Sequence, residues 1–149
     1  MTDAAEQIPV AEGLFTWPSE SPQLIGGRCT TCGTVTFPRQ LGCPRCTGSD
    51  IVDVVLPRRG RLWTWTIQGF LPKTPPYAGP ETAKTFVPYG VGYVELADTV
   101  KVETRLTTAD PDVLTIGMEM ELVVVPFTQD ADGRDVMMFA FAPAGQEQA

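Results

Sequence analysis

The chain has 149 residues and a mass of 16.2 kDa, enough for one domain or two small ones sharing a boundary. Fourteen glycines and fourteen prolines leave little room for long helices, and the absence of histidine removes every His-based nucleophile, base or metal ligand. A formal net charge of −7 speaks against binding nucleic-acid phosphates as the main task.

Residues 1–27 read as an N-terminal arm, because Pro9, Pro18 and Pro22 break any helical periodicity. Its opening, Met1-Thr2-Asp3-Ala4-Ala5-Glu6, is acidic and has no apolar core, so no secretory signal is expected. No run of about 18 apolar residues exists to span a membrane, and the expected location is cytoplasmic. Leu14, Phe15 and Trp17 stand out in this polar segment. They either pack onto the rest of the chain or form a docking arm for a partner.

Residues 28–57 hold all four cysteines, as Cys29-Thr30-Thr31-Cys32 and Cys43-Pro44-Arg45-Cys46 with ten residues between them. Each Cys-x-x-Cys knuckle presents two thiolates to one ion, and four thiolates complete a tetrahedron. Gly33 after the first pair and Pro44 inside the second suit turns whose amides point at sulfur. Thr34–Pro38 and Ile51–Val55 read as short strands beside the site, which makes a zinc ribbon. Disulfides are disfavoured by the adjacent-pair spacing and the cytoplasmic reading. Iron is the other candidate, since the second knuckle resembles half of a rubredoxin site, but rubredoxins have a much longer gap between knuckles. A structural Zn2+ held by Cys29, Cys32, Cys43 and Cys46 is therefore expected, with no open position for a catalytic water. Such binding supplies about 10–16 kcal/mol of apparent folding free energy, enough to order a segment with almost no core.

Charge is uneven along the chain. Six arginines between Arg28 and Arg61 face Asp50 and Asp53, whereas residues 81–149 carry twelve carboxylates against four basic side chains. From Gly60 onward the pattern turns to β. In Arg61–Gln68, Trp63, Trp65 and Ile67 alternate with polar residues, which places them on one face. Tyr89–Ala97 is a second strand, whose Gly90 and Gly92 suggest a close backbone approach. Asp98-Thr99 reads as a hairpin turn into Val100–Thr107. Met118–Val125 is a fourth strand ended by Pro126, and Asp130–Gly133 turns into a fifth, Val136–Ala142. A short turn is expected at Asp110–Leu114. Five antiparallel strands of this length suit a small Greek-key barrel of OB type spanning residues 58–143, with 144–149 as a tail. Between the first two strands, Phe70–Pro88 is a nineteen-residue connection with five prolines, and it carries Lys73 and Tyr77. It is either a stiffened surface loop or a lid over a ligand.

Taken together, Arg28–Gly33, Phe37-Pro38-Arg39, Cys43–Cys46, Gly60–Thr66, Pro88–Leu96 and Ile116-Gly117-Met118 resemble a bacterial and archaeal family. That family joins a rubredoxin-like zinc ribbon to a C-terminal OB fold and was long described as a domain of unknown function. The resemblance covers about residues 28–142. It departs at the N-terminus, where many members begin with an amphipathic helix and this chain has the Pro-rich Leu14–Pro22 segment.

The resemblance implies a mainly β protein, an N-terminal rubredoxin-like zinc ribbon followed by a five-stranded OB-fold barrel. It further implies a subunit, not catalytic alone, that binds a thiolase, acyltransferase or steroid side-chain aldolase and helps form its channel for a coenzyme A thioester. A MaoC-type enoyl-CoA hydratase is the alternative partner, and a single-stranded nucleic-acid module is the alternative function. The residues agree on one point: with four cysteines committed to metal and no histidine, acyl-transfer groups are scarce. Glu119 and Glu121 share a strand face that reads as solvated. Arg58, Arg59 and Arg61, where ribbon meets barrel, are candidates for the CoA phosphates, Lys73 from the long connection joins them as a CoA-binding candidate, and Trp63, Trp65 or Tyr77 could pack on the adenine or acyl chain. The competing reading leaves these arginines solvated or paired with Asp53, and puts Trp63 and Trp65 in the barrel core.

Overall fold

The computed structural model describes residues 6–145. Nine strands run through them: β1 (Gln7–Pro9), β2 (Ile25–Cys29), β3 (Val35–Thr36), β4 (Ile51–Val55), β5 (Arg59–Gln68), β6 (Tyr89–Leu96), β7 (Val100–Leu106), β8 (Glu119–Gln129) and β9 (Asp135–Pro143). None of the described residues forms a helix long and apolar enough to cross a membrane.

The ribbon is a three-stranded antiparallel sheet, β3-β2-β4. Its flanking strands fall where the alternation of Val, Thr and Ile places them. The central strand β2 is not legible in the sequence, because Gly26-Gly27 is a poor strand former. The glycines are there for space. A Cβ at Gly26 would lie 2.7 Å from the Thr36 carbonyl oxygen, and one at Gly27 would lie 2.7 Å from Ile51 Cγ2.

Strands β5 to β9 close into a five-stranded barrel in the order β8-β5-β6-β7-β9, with β8 and β9 pairing to complete it. β1 adds outside the barrel, parallel to β9. The alternating apolar residues of these strands meet inside: Leu62, Val94, Leu96, Val102, Met120, Leu122 and Phe141 are all but fully buried. Gly90 and Gly92 do allow close approach, since a Cβ at Gly92 would lie 2.7 Å from the Thr64 carbonyl oxygen. The turn at Asp110–Leu114 is present, with the Val113 and Leu114 amides both donating to the Asp110 carbonyl.

Three details depart from the sequence reading. A register shift between Leu62 and Thr64 leaves Trp63 as an extra residue in β5. The bulge reverses the face, so Leu62 points inward, Trp65 packs against the core, and Trp63 is 53% exposed. Pro126 does not end β8; a second bulge between Pro126 and Thr128 absorbs its missing N–H, and pairing with β9 runs on to Gln129. The β6–β7 turn sits one residue earlier than expected, centred on Ala97 and Asp98, both with φ of 54°. The Thr99 amide closes it onto the Leu96 carbonyl.

Ribbon and barrel share one core. Leu56, Leu24 and Phe15 are buried in the same cluster as the barrel residues, and Phe37 of the ribbon meets Phe139 of β9 edge-to-face at 5.4 Å. The arm therefore packs: Phe15 bridges to Leu24, and Trp17 stands edge-on to Phe15.

Candidate functional site

The four cysteines converge. Their Sγ atoms all lie within 4.8 Å of one another, with Cys29–Cys46 at 3.6 Å and Cys32–Cys43 at 3.5 Å. Sulfurs about 2.3 Å from a tetrahedral zinc would be roughly 3.8 Å apart, so the donor set fits one ion. β2 delivers Cys29 at its end, and the chain turns at Gly33, whose φ is 80° and whose amide donates to the Cys29 carbonyl. The second knuckle closes with the Thr47 amide on the Cys43 carbonyl, while the Arg45 and Cys46 amides point at Cys43 Sγ from 3.4 Å. The Thr34 hydroxyl and backbone lower the Cys32 thiol to about 6. At Cys46 the Gly48 amide also pulls down, but hydrogen bonds with Cys29 and Cys32, burial and Cys43 outweigh it and push the thiol up to about 12. Four protein ligands leave a zinc ion here no open position for substrate, which is the coordination of a structural site.

The arginines at the ribbon–barrel junction are mostly engaged. Arg58 donates to the Pro22 and Leu122 carbonyls and lies 3.6 Å from Glu121. Arg59 bridges Glu119 at 2.6 Å and Glu121 at 3.0 Å. Glu119 and Glu121 are therefore the partners of these arginines and not a merely solvated pair. Asp53 pairs with Arg39 instead. Arg61 is exposed and donates to the Gly117 carbonyl at 3.1 Å; Lys73 is exposed in the long connection.

Tyr77 lies elsewhere. It packs edge-on to Phe127, eight residues along β8 from Glu119, a separation of roughly 27 Å for extended chain. Its hydroxyl donates to Glu81 at 2.8 Å and accepts from Arg105 at 3.1 Å. Burial, reinforced by Glu81, raises the phenol above its ordinary value, so it stays protonated for this role. The Phe70–Pro88 connection is thereby tied to the barrel wall at Tyr77. The five residues expected to bind the CoA ester thus fall into two places. Arg105, Tyr89 and Phe127, which accompany Tyr77, escaped sequence reading; the outward position of Arg105 on alternating β7 is the signal that was available.

A four-thiolate ribbon packed on a five-stranded OB barrel defines the class of protein. Two family models cover adjoining parts of the chain: the rubredoxin-like zinc ribbon domain of ChsH2 matches residues 20–53, and its C-terminal OB-fold domain matches residues 53–125. The chain belongs to this ChsH2 (DUF35) family. It is 31% identical over 121 residues to the benzoylsuccinyl-CoA thiolase subunit BbsA of Thauera aromatica, covering 81% of this chain and 76% of that one. It is 33% identical over 125 residues to a DUF35 domain-containing scaffold protein of Pyrococcus furiosus, covering 83% and 85% respectively. Among solved structures, a chain of the Ltp2-ChsH2(DUF35) aldolase matches with a TM-score of 0.60 and 26% identity, over 82% of this chain and 85% of that chain.

Proposed function

We propose that this chain is a non-catalytic subunit that binds and stabilises a thiolase-superfamily enzyme and helps form the channel for its CoA ester. The observation that carries this reading is the likeness, over most of both chains, to a subunit of a thiolase. The residues support it: the four cysteines of the sequence converge on one metal site, and no histidine is present to act as a base. The ribbon would hold one structural Zn2+. A cytoplasmic setting keeps its thiols reduced for metal.

Within such an assembly, Arg61 and Lys73 offer exposed cations to the CoA phosphates, and Arg59 can exchange Glu119 for a phosphate fork. Arg58 is the least suited, because its donors already hold the arm to β8.

The test is a pull-down from the native host with the tagged full chain, followed by partner identification and metal analysis. A thiolase-like enzyme in stoichiometric amount, with one zinc per chain, is the expected result. Recovery of nucleic acid in its place, or of the chain alone, overturns the reading.

A further inference from the structure

The barrel is not sealed all round. β7 and β9 share a single register pair, Leu106 with Phe141, and Val100–Arg105 has no strand partner on that side. An apolar groove of about 760 Å³ opens on the outer wall there, within the usual range for small-molecule sites. Val91, Val125 and Met138 are among its walls, and the proline-rich connection closes one side through Tyr77.

Arg105 is the group in this groove that demands a partner. It is half-buried, with its guanidinium carbon 3.6 Å from the centroid of Tyr89 and 5.8 Å from that of Phe127. Of the five N–H donors that a guanidinium carries, one is used, on the Tyr77 hydroxyl. The Glu81 carboxylate meets Arg105 only through the Tyr77 hydroxyl, which it accepts from at 2.8 Å. Glu103 at the groove accepts from Tyr93 at 3.5 Å. Among the described residues, Arg105 is the half-buried arginine with no carboxylate in ion-pair reach. Desolvating a cation without a counter-ion is costly, and a stacked guanidinium keeps its fork open for a planar anion.

We infer that this groove is a binding site for a small organic carboxylate with an apolar or aromatic body. The carboxylate meets the free edge of Arg105, and the body lies between Tyr89, Phe127 and the aliphatic wall. Glu103 at the mouth disfavours a second negative charge. The groove is separate from Arg58, Arg59 and Arg61, none of which lines it.

The probe is 4-phenylbutyrate, titrated into the zinc-loaded full chain and followed by NMR, with the isosteric 4-phenylbutyramide alongside. Saturable shifts of the Tyr89, Val91, Arg105 and Phe127 amides are expected, with the amide at least tenfold weaker. Arg105→Lys, which keeps the charge and loses the fork, should weaken binding several-fold with an unchanged melting temperature. No saturable shift at 10 mM, equal binding of acid and amide, or displacement of the probe by equimolar inorganic phosphate would each overturn the assignment. The acid-against-amide comparison uses the unaltered chain, so it decides the matter even if the variant misfolds.

Discussion

The residues with the most local leverage are the four cysteines, because each would supply a quarter of the metal's coordination. Cys46→Ser should reduce bound zinc from one per chain to a small fraction and expose the ribbon to proteolysis, read by elemental analysis and limited digestion. Thiols must lose protons to bind metal, so protons compete with zinc. A chelator should therefore strip the wild-type ribbon faster at pH 6 than at pH 8. An arginine's role here is set as much by its neighbours as by its charge. Arg59 and Arg105 look alike in sequence, yet one is bound by two carboxylates and the other by none.

At the level of elements, the two hairpins show opposite economies of turn chemistry. The β6–β7 turn holds Ala97 in the left-handed region, which costs an alanine about 1–2 kcal/mol relative to glycine. Ala97→Gly should accordingly raise stability by about 0.5–1 kcal/mol in urea unfolding, after the entropy lost by glycine is counted. The β8–β9 turn is instead well made. The Asp130 carboxylate accepts from the Asp132 and Arg134 amides at 3.0 and 2.9 Å and from Arg134 Nε at 2.7 Å. Its pKa is lowered, chiefly by the Arg134 amide. A carboxyl with a depressed folded value adds stability above its unfolded pKa and loses it as pH falls through the folded one. Urea midpoints of wild type and Asp130→Asn should thus differ at pH 7 and converge toward pH 3.

For the whole molecule, the ribbon and barrel act as one body because they bury a common core. Leu56 lies at the junction, 3% exposed, between ribbon strand β4 and barrel strand β5. Leu56→Ala should cost about 2–5 kcal/mol and loosen both halves together in a single urea transition. Two separate transitions would mean that the halves are independent. The same shared core joins the ribbon to the groove, because Phe37 packs on Phe139 and both line it.

Much of this architecture was legible from local pattern alone. Cysteine spacing defines the metal site because both knuckles are closed within a few residues, and two-residue alternation marks every barrel strand. What failed were the features that depend on cross-strand partners. Trp63 alternates correctly with Trp65, but a bulge opposite Val94 and Tyr93 puts it outside, and no local signal records that. Pro126 reads as a terminator, yet a bulge against β9 carries the strand past it. The grouping of Tyr77 with Arg105 and Phe127, and of Arg59 with Glu119 and Glu121, joins residues 28 to 62 positions apart. Composition and periodicity determine which segments become strands and which atoms bind metal. Only barrel closure decides which charges find partners, and so which one is left to meet a ligand.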